Sequence, residues 1–252
     1  MRTATPVCVL AALLFASGAG AQYQEIYEVE LRPDGVEKFE HLLARLGAAA
    51  EETASARRWM TFEVVTGKSM PTYRIVIPFT KWAERDSWES MRNVLSGAYG
   101  DDEAARLWKD AQRATESSTS QLWQHLPDSD SHPRTTVADF YDVYVREVRA
   151  GTESEIRDLH RKFKQAYDEA PSQPSVTRSV LVFGRNQGLV FLRAEAFDRW
   201  ADKDDAEARG ILGAHFGADD SRAMVDTVRG AAVWTDHFVS RLRRTLSRLP
   251  EE

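Results

Sequence analysis

The sequence predicts an α+β fold made of two tandem β-α-β-β-α-β units packed sheet to sheet, and three observations predict it. Landmarks recur in order: Phe79, Trp82, Ala83 and Asp86 return as Phe197, Trp200, Ala201 and Asp204 at an offset of 118, and Gly67, Gly100 and Asp102 return as Gly184, Gly217 and Asp219 at 117. A drift of one residue is what a single insertion leaves, and ordered recurrence marks a duplicated unit of roughly 110 residues. Each copy also opens on an apolar alternation of period two and continues into an apolar stripe of helical period. Finally, a polar, proline-flanked segment, 127–136, separates the copies.

The chain before the first unit has a different character. Arg2 supplies a positive start, Val7 to Ala16 an apolar run and Ala19-Gly20-Ala21 a small-residue cleavage site, the pattern of a secretory signal peptide. The division that follows is a signal over 1–21, a first unit over 22–126, a linker over 127–136 and a second unit over 137–252. Cleavage after Ala21 sends the mature chain to the periplasm or the medium. Cys8, the one cysteine, falls inside the apolar run, so no disulfide can form in the mature chain. Without Arg2, 32 basic and 39 acidic residues remain, interspersed. That balance argues against a nucleic-acid partner and offers no polybasic patch for a membrane surface. No later run reaches the roughly 20 apolar residues of a membrane span.

Within each unit the first strand is Tyr27, Val29 and Leu31 against Glu28 and Glu30, then Tyr141, Val143 and Val145 against Asp142, Tyr144 and Arg146. Glu25 to Val29 aligns with Asp139 to Val143 at an offset of 114. A helix follows, with capping boxes expected at Asp34 with Glu37 and at Thr152 with Glu155. Its buried stripe is Val36, Phe39, Leu42, Leu43 and Leu46 in one copy, and Ile156, Leu159, Phe163, Ala166 and Tyr167 in the other. Two hairpin strands come next, 59–66 with 73–79 and 176–183 with 189–197. Amphipathic segments then carry Trp82 and Trp200, capped from Thr80 and Asp198 and expected to anchor the core. Helix restarts at Gly100-Asp101 and Gly217-Ala218. Segments 117–125 and 233–241 close each unit as a fourth strand, although 233–249 can equally run as helix.

This order is the split ferredoxin-like arrangement, in which helices cover one face of a four-stranded antiparallel sheet. The repeated Phe-x-x-Trp-Ala after the third strand and the aromatic-Gly-x-Asp at Tyr99 to Asp102 and Phe216 to Asp219 resemble the dimeric α-β barrel superfamily in its fused, two-repeat form. The resemblance implies that the two sheets close one barrel within the chain, so a monomer with an intramolecular pseudo-dimer is expected. It does not imply one activity, since the superfamily includes cofactor-free monooxygenases, haem-dependent chlorite dismutase-like enzymes and muconolactone isomerase-like enzymes.

If the apolar strand faces meet the helices, the opposite faces line the barrel. Phe191, Arg193, Glu195 and Phe197 then point inward with Arg178, Asp142, Tyr144 and Arg146, while the first unit offers Tyr73, Ile75 and Ile77. One half looks filled and the other able to hold something. Two readings stand for this cluster: an ion-pair network, or a pocket where Arg178 or Arg193 clamps an anionic group while Tyr144 and Phe191 cover an apolar body. The candidate ligand-binding residues are Tyr144, Arg178, Phe191, Arg193 and Glu195. On the enzyme alternative, a cofactor-free oxygenase or isomerase, Tyr144, Arg178 and Glu195 handle protons and anchor the substrate. A third alternative is a barrel packed shut. The six histidines show no metal-ligand spacing, and His215, beside the turn at Gly217, is the best lone candidate. No metal and no tightly bound cofactor are expected, and no histidine is placed inward for a haem.

Overall fold

The computed structural model describes residues 21–134, 136–184, 186–203 and 208–249. The signal-peptide segment falls outside them, apart from Ala21. The chain forms β1 (Tyr23–Leu31), α1 (Val36–Glu52), β2 (Met60–Thr66), β3 (Thr72–Phe79), α2 (Met91–Tyr99), α3 (Asp101–Ala114) and β4 (Thr115–His125). It then repeats the order as β5 (Phe140–Val148), α4 (Glu153–Glu169), β6 (Ser175–Phe183), β7 (Val190–Phe197), α5 (Ala208–Phe216), α6 (Ala218–Ala231) and β8 (Ala232–Leu242). The closing segment over 233–241 is therefore strand, followed by one 3₁₀ turn at Arg244–Leu246.

The eight strands close one antiparallel barrel in the order β1-β3-β2-β8-β5-β7-β6-β4, with β4 returning to β1. Each half contributes four adjacent strands, and the halves join at two seams, β2 with β8 and β4 with β6. Closure leaves no free sheet edge, which removes the unpaired backbone groups an open four-stranded sheet would present. At the first seam Gly67 has φ +88°, and a Cβ there would lie 2.2 Å from the carbonyl oxygen of His237, so only glycine fits. The seam is also cross-linked by charge. Arg241 and Arg243 meet Glu63, at 2.6 and 3.0 Å, and Arg243 reaches Glu40 of α1 at 2.6 Å.

The repeat is regular enough to align by structure. Helices α1, α2 and α3 map on α4, α5 and α6 at 117, and β3 maps on β7 at 118. Tyr23 pairs with Phe79 as Phe140 pairs with Phe197, which fixes β1 on β5 at 117. The sequence alignment of these strands at 114 is three residues out. An odd slip turns every side chain of a strand to the opposite face. The facing expected for the second unit rested on the rule that apolar strand faces meet the helices, and the structure inverts it, because here the apolar faces line the barrel. Val143, Val145, Val190 and Leu192 pack in the barrel interior with Ile26, Phe62, Val76 and Phe238. Phe191, Val148 and Val180 pack against the helices. In the first unit Tyr73, Ile75 and Ile77 face α1 with Val29 and Leu31.

Other local expectations change as well. Neither capping box forms: α1 starts from Gly35 with no side-chain cap, and the Thr152 hydroxyl donates backward to the Arg149 carbonyl. Trp82 and Trp200 occupy matched places but are surface residues, 45 and 52 % exposed, on 3₁₀ turns rather than in the core. Each caps a stacked aromatic pair, Tyr23 with Phe79 and Phe140 with Phe197. The turns are held by Glu84, which accepts the amides of Thr80 and Lys81, and by Asp202, which accepts those of Asp198 and Arg199. Segment 127–136 is built into the fold: Asp130 accepts the Arg178 amide and meets His125, and Ser131 bridges to Val176.

Candidate functional site

Because the second unit's polar strand face looks toward α4, α5 and α6, the site lies between sheet and helices and not in the barrel. Register sets it out in cross-strand rows. His237, Tyr144, Arg193 and Arg178 form one row across β8, β5, β7 and β6. Asp142 and Glu195 lie opposite each other in the next row, and Arg146 and Phe191 in the row on the other side. Neighbouring rows on one face lie about 7 Å apart, since two residues of strand separate them. Over this floor α4 brings Ile156, His160, Phe163 and Tyr167, α5 brings Leu212 and α6 brings Val225 and Val228, enclosing a cavity of about 440 Å³. All five sequence candidates, Tyr144, Arg178, Phe191, Arg193 and Glu195, line it.

The first unit shows why the space is open here. At the positions of Arg193, Glu195, His160 and Arg178 it carries Ile75, Ile77, Leu43 and Thr61, and the first three of these are buried core residues. Tyr144 retains an equivalent, Tyr27. Arg146 stands at the position of the buried Val29, so five polar or charged residues of the second unit occupy places that the first unit fills with smaller or apolar side chains. The barrel interior, by contrast, is largely filled, with a residual cavity of about 120 Å³ among Ile26, Phe62, Val76, Val143 and Leu192.

The charges in the chamber fall into two groups. At one end stands a chain of ion pairs. Glu195 is bonded to Arg193 and lies 3.1 Å from Lys203, Lys203 reaches Asp142 at 2.8 Å, and Asp142 meets His237 at 2.6 Å. His237 in turn stacks on Tyr144, their ring centroids 4.0 Å apart. Burial opposes ionisation of Asp142, but the bonds from Lys203 and His237 outweigh it and hold its carboxyl below the usual range. Burial raises the Tyr144 phenol, and the Asp142 charge adds to the rise. Arg193 is held firmly charged. Burial works against it, yet Tyr167 and Glu195 more than compensate, and its guanidinium lies between the rings of Tyr144 and Tyr167 at 5.7 and 5.9 Å.

At the other end Arg178 is 1 % exposed. It donates through Nη1 to the Ser129 carbonyl, while Nε and Nη2 are buried with no partner among the described residues. Desolvation and the Arg193 charge pull it down to about 10, so it remains a cation at neutral pH. Among the described residues that line the chamber, six are Arg or Lys and two are acids. Arg209 and Arg229 of these are exposed to water, whereas charge removed from water is tolerated only when paired, so it is the buried Arg178 that asks for a negative partner.

His160 is the functional candidate that sequence reasoning missed. It interrupts the apolar stripe of α4 between Leu159 and Phe163, and Leu43 at its place in α1 was the signal that could have found it. The ring is 8 % exposed, lies edge-on to Phe191 at 5.5 Å, and leaves Nδ1 buried without a partner. Burial above all, then the charges of Arg178, Arg146, Arg193 and Arg157, hold its pKa well below that of an ordinary histidine, so the imidazole is neutral. His215, the earlier lone candidate, instead meets Glu169 at 3.1 Å at the end of α5.

Solved structures share this architecture. A protein provisionally named a monooxygenase, from Fusobacterium nucleatum subsp. nucleatum, superposes with a TM-score of 0.56 at 9 % identity, over 89 % of this chain and 93 % of that one. An anthrone oxidase-like protein gives 0.52 at 12 % identity, over 94 and 97 %. A chlorite dismutase variant from Candidatus Nitrospira defluvii gives 0.52 at 8 % identity, over 90 and 92 %. The chain has the fused, two-repeat dimeric α-β barrel fold. No protein-family model matches its sequence, and no match was found among curated proteins. At these identities the likeness of this dimeric α-β barrel to its neighbours concerns the fold, and chemistry has to be argued from the chamber.

Proposed function

We propose that the helix-covered chamber of the second unit binds a small organic anion with an aromatic or apolar body, in a protein exported under the direction of its N-terminal signal. One observation carries this reading: Arg178 is buried against the chamber with two guanidinium nitrogens unpartnered. A carboxylate or similar group would accept both, as a planar fork does well. Tyr144, Phe163, Tyr167 and Phe191 supply the walls for an apolar body, and the volume suits a small-molecule site. The ion-pair network and the pocket are then parts of one device. Arg193, Glu195, Lys203 and Asp142 satisfy one another and stiffen the chamber, whereas Arg178 is kept for the ligand.

A haem of the type carried by chlorite dismutase-like relatives does not fit these residues. An iron-ligating histidine almost always donates its other ring N–H to a carboxylate, carbonyl or water. Here Nδ1 of His160 is buried without a protein partner, and the charges acting on the ring are those of four arginines.

The test compares benzoate with the neutral benzyl alcohol as stabilisers in thermal melting. A ligand at one hundred times its Kd adds about 2.7 kcal/mol to the folded state. Benzoate should raise the Tm of the wild type and leave Arg178→Met unmoved. Equal shifts in both proteins, or equal shifts by both compounds, would overturn the reading, and so would a Soret band on adding haemin that disappears in His160→Gln. Native mass spectrometry of the protein from its own host would identify the ligand, and sequencing its N-terminus, expected at Gln22, tests export.

A further inference from the structure

We infer that His160 is a general base, and that the chamber enolises an aromatic 2-oxo acid held by Arg178. The inference rests on the anion-site reading above and adds a reaction to it. Three features of the chamber point to proton transfer and not to binding alone.

The first is the base itself. His160 stands where the duplicated helix carries Leu43, on the wall of the chamber, with Nδ1 buried and without a hydrogen-bond partner among the described residues. A histidine that served only to fill the core would do so less well than the leucine of the other copy, because its polar edge is buried and unsatisfied. The second is its electrical setting. Arg178 on β6, Arg193 on β7, Arg146 on β5 and Arg157 on α4 are the charged groups acting on the ring. Burial first, and then these charges, keep the imidazole unprotonated, and the charges stabilise any anion that forms beside it. The third is the shape of the charge. The guanidinium of Arg178 holds two free donors, enough to take both the carboxylate and the adjacent carbonyl oxygen of a 2-oxo acid, while Phe191, Phe163 and Tyr167 receive the ring.

In this arrangement a ring nitrogen of His160 removes a proton from the carbon next to the carbonyl. The C–H bond breaks, its electron pair forms the C=C bond, and the carbonyl π pair moves to oxygen as an enolate beside Arg178. The imidazolium then returns the proton to that oxygen, giving the enol and the neutral imidazole. Atoms and electrons balance with no oxidant, reductant or cofactor. The class is proton abstraction α to a carbonyl.

Phenylpyruvate in D₂O is the probe, with loss of its benzylic proton signal followed by NMR and its affinity followed by calorimetry. General bases contribute about 10² to 10⁴ in rate. Wild type should speed exchange over the protein-free control, and His160→Gln should lose at least about 10² of that acceleration with its Kd within roughly threefold. His160→Leu, which restores the residue of the first repeat, keeps the test sound if the glutamine variant folds poorly. Its melting curve should be normal and its exchange equally lost. Wild-type exchange should persist undiminished to mildly acidic pH, a profile that a merely structural histidine would not set. Phenylpyruvate bound by the wild type with exchange no faster than the protein-free control, or with exchange equal in wild type and both variants, would overturn the base and leave the anion site standing. Absence of phenylpyruvate binding would overturn the substrate class, and the benzoate experiment then decides separately on the anion site.

Discussion

Arg178 and Arg193 are direct cross-strand partners on β6 and β7, two guanidinium groups in one row beneath the helices. Like charges set opposite each other across a sheet are destabilising. Arg193 has an answer in Glu195, but two of the nitrogens of Arg178 have none. Arg178→Met should therefore raise ligand-free stability or leave it unchanged, since relief of a buried charge offsets loss of the bond to Ser129. Chemical denaturation of the ligand-free protein checks this, and a loss of more than about 2 kcal/mol would show that Arg178 is a structural residue.

The Arg193–Glu195 pair predicts a non-additive result. The first unit carries Ile75 and Ile77 at these places, so Arg193→Ile with Glu195→Ile should be neutral or stabilising. Glu195→Ile alone strands Arg193 and should cost roughly 3 to 5 kcal/mol. A double-mutant cycle by urea unfolding measures the difference. If the single and double variants are equally stable, the pair is not coupled.

Stability should fall on mild acidification because of His160. Its folded-state pKa lies well below the ordinary value of 6.5. Above pH 6.5 neither state binds the proton and nothing changes. Below it the unfolded chain takes up a proton that the native state refuses, so stability is lost as pH falls toward the folded pKa, by up to about 1.4 kcal/mol per pH unit. His160→Leu should flatten this slope between pH 6.5 and 5. Unfolding measured across that range decides the matter. Asp142, whose folded pKa is also lowered, acts in the same direction, its unfolded carboxyl taking up a proton that the native one refuses, and the stability it gives is lost only further into acid.

Assembly follows from the two seams. Because β2 meets β8 and β4 meets β6 inside one chain, the protein should sediment as a monomer at micromolar concentration. Either half expressed alone exposes both seam strands and should dimerise or aggregate. A tight dimer of the whole chain, or stable monomeric halves, would contradict this.

The duplicated fold was legible in the sequence because it is written as recurrence. Strand alternation, helical stripes and the Gly100 and Gly217 restarts are local patterns, and each was present twice. The pseudo-dimeric barrel followed, since two half-covered sheets must cover each other. Arg193 and Glu195 were legible as charged residues where the other copy carries Ile75 and Ile77, whereas Tyr144, Arg178 and Phe191 correspond to Tyr27, Thr61 and Tyr73 in the first copy and carry no such signal.

What the tertiary structure decided was the side on which they act. The expectation took the apolar face of each strand to meet the helices; in the second unit the apolar faces of β5 and β7 line the barrel instead, which leaves the polar set under α4, α5 and α6. Phe140 and Tyr23 are aromatic and apolar like many neighbours, so only their pairing with Phe197 and Phe79 fixed the register. His160 stayed hidden for a related reason. On a helix its place in the stripe is visible, but that the stripe covers a chamber and not a packed sheet depends on Arg178 and Arg193, side chains 18 and 33 residues further along the chain. Sequence determined the architecture and the unequal halves; the register of strands distant in the chain determined where the unpaired charge and the imidazole meet, because hydrogen-bonded pairing alone brings those residues to one face.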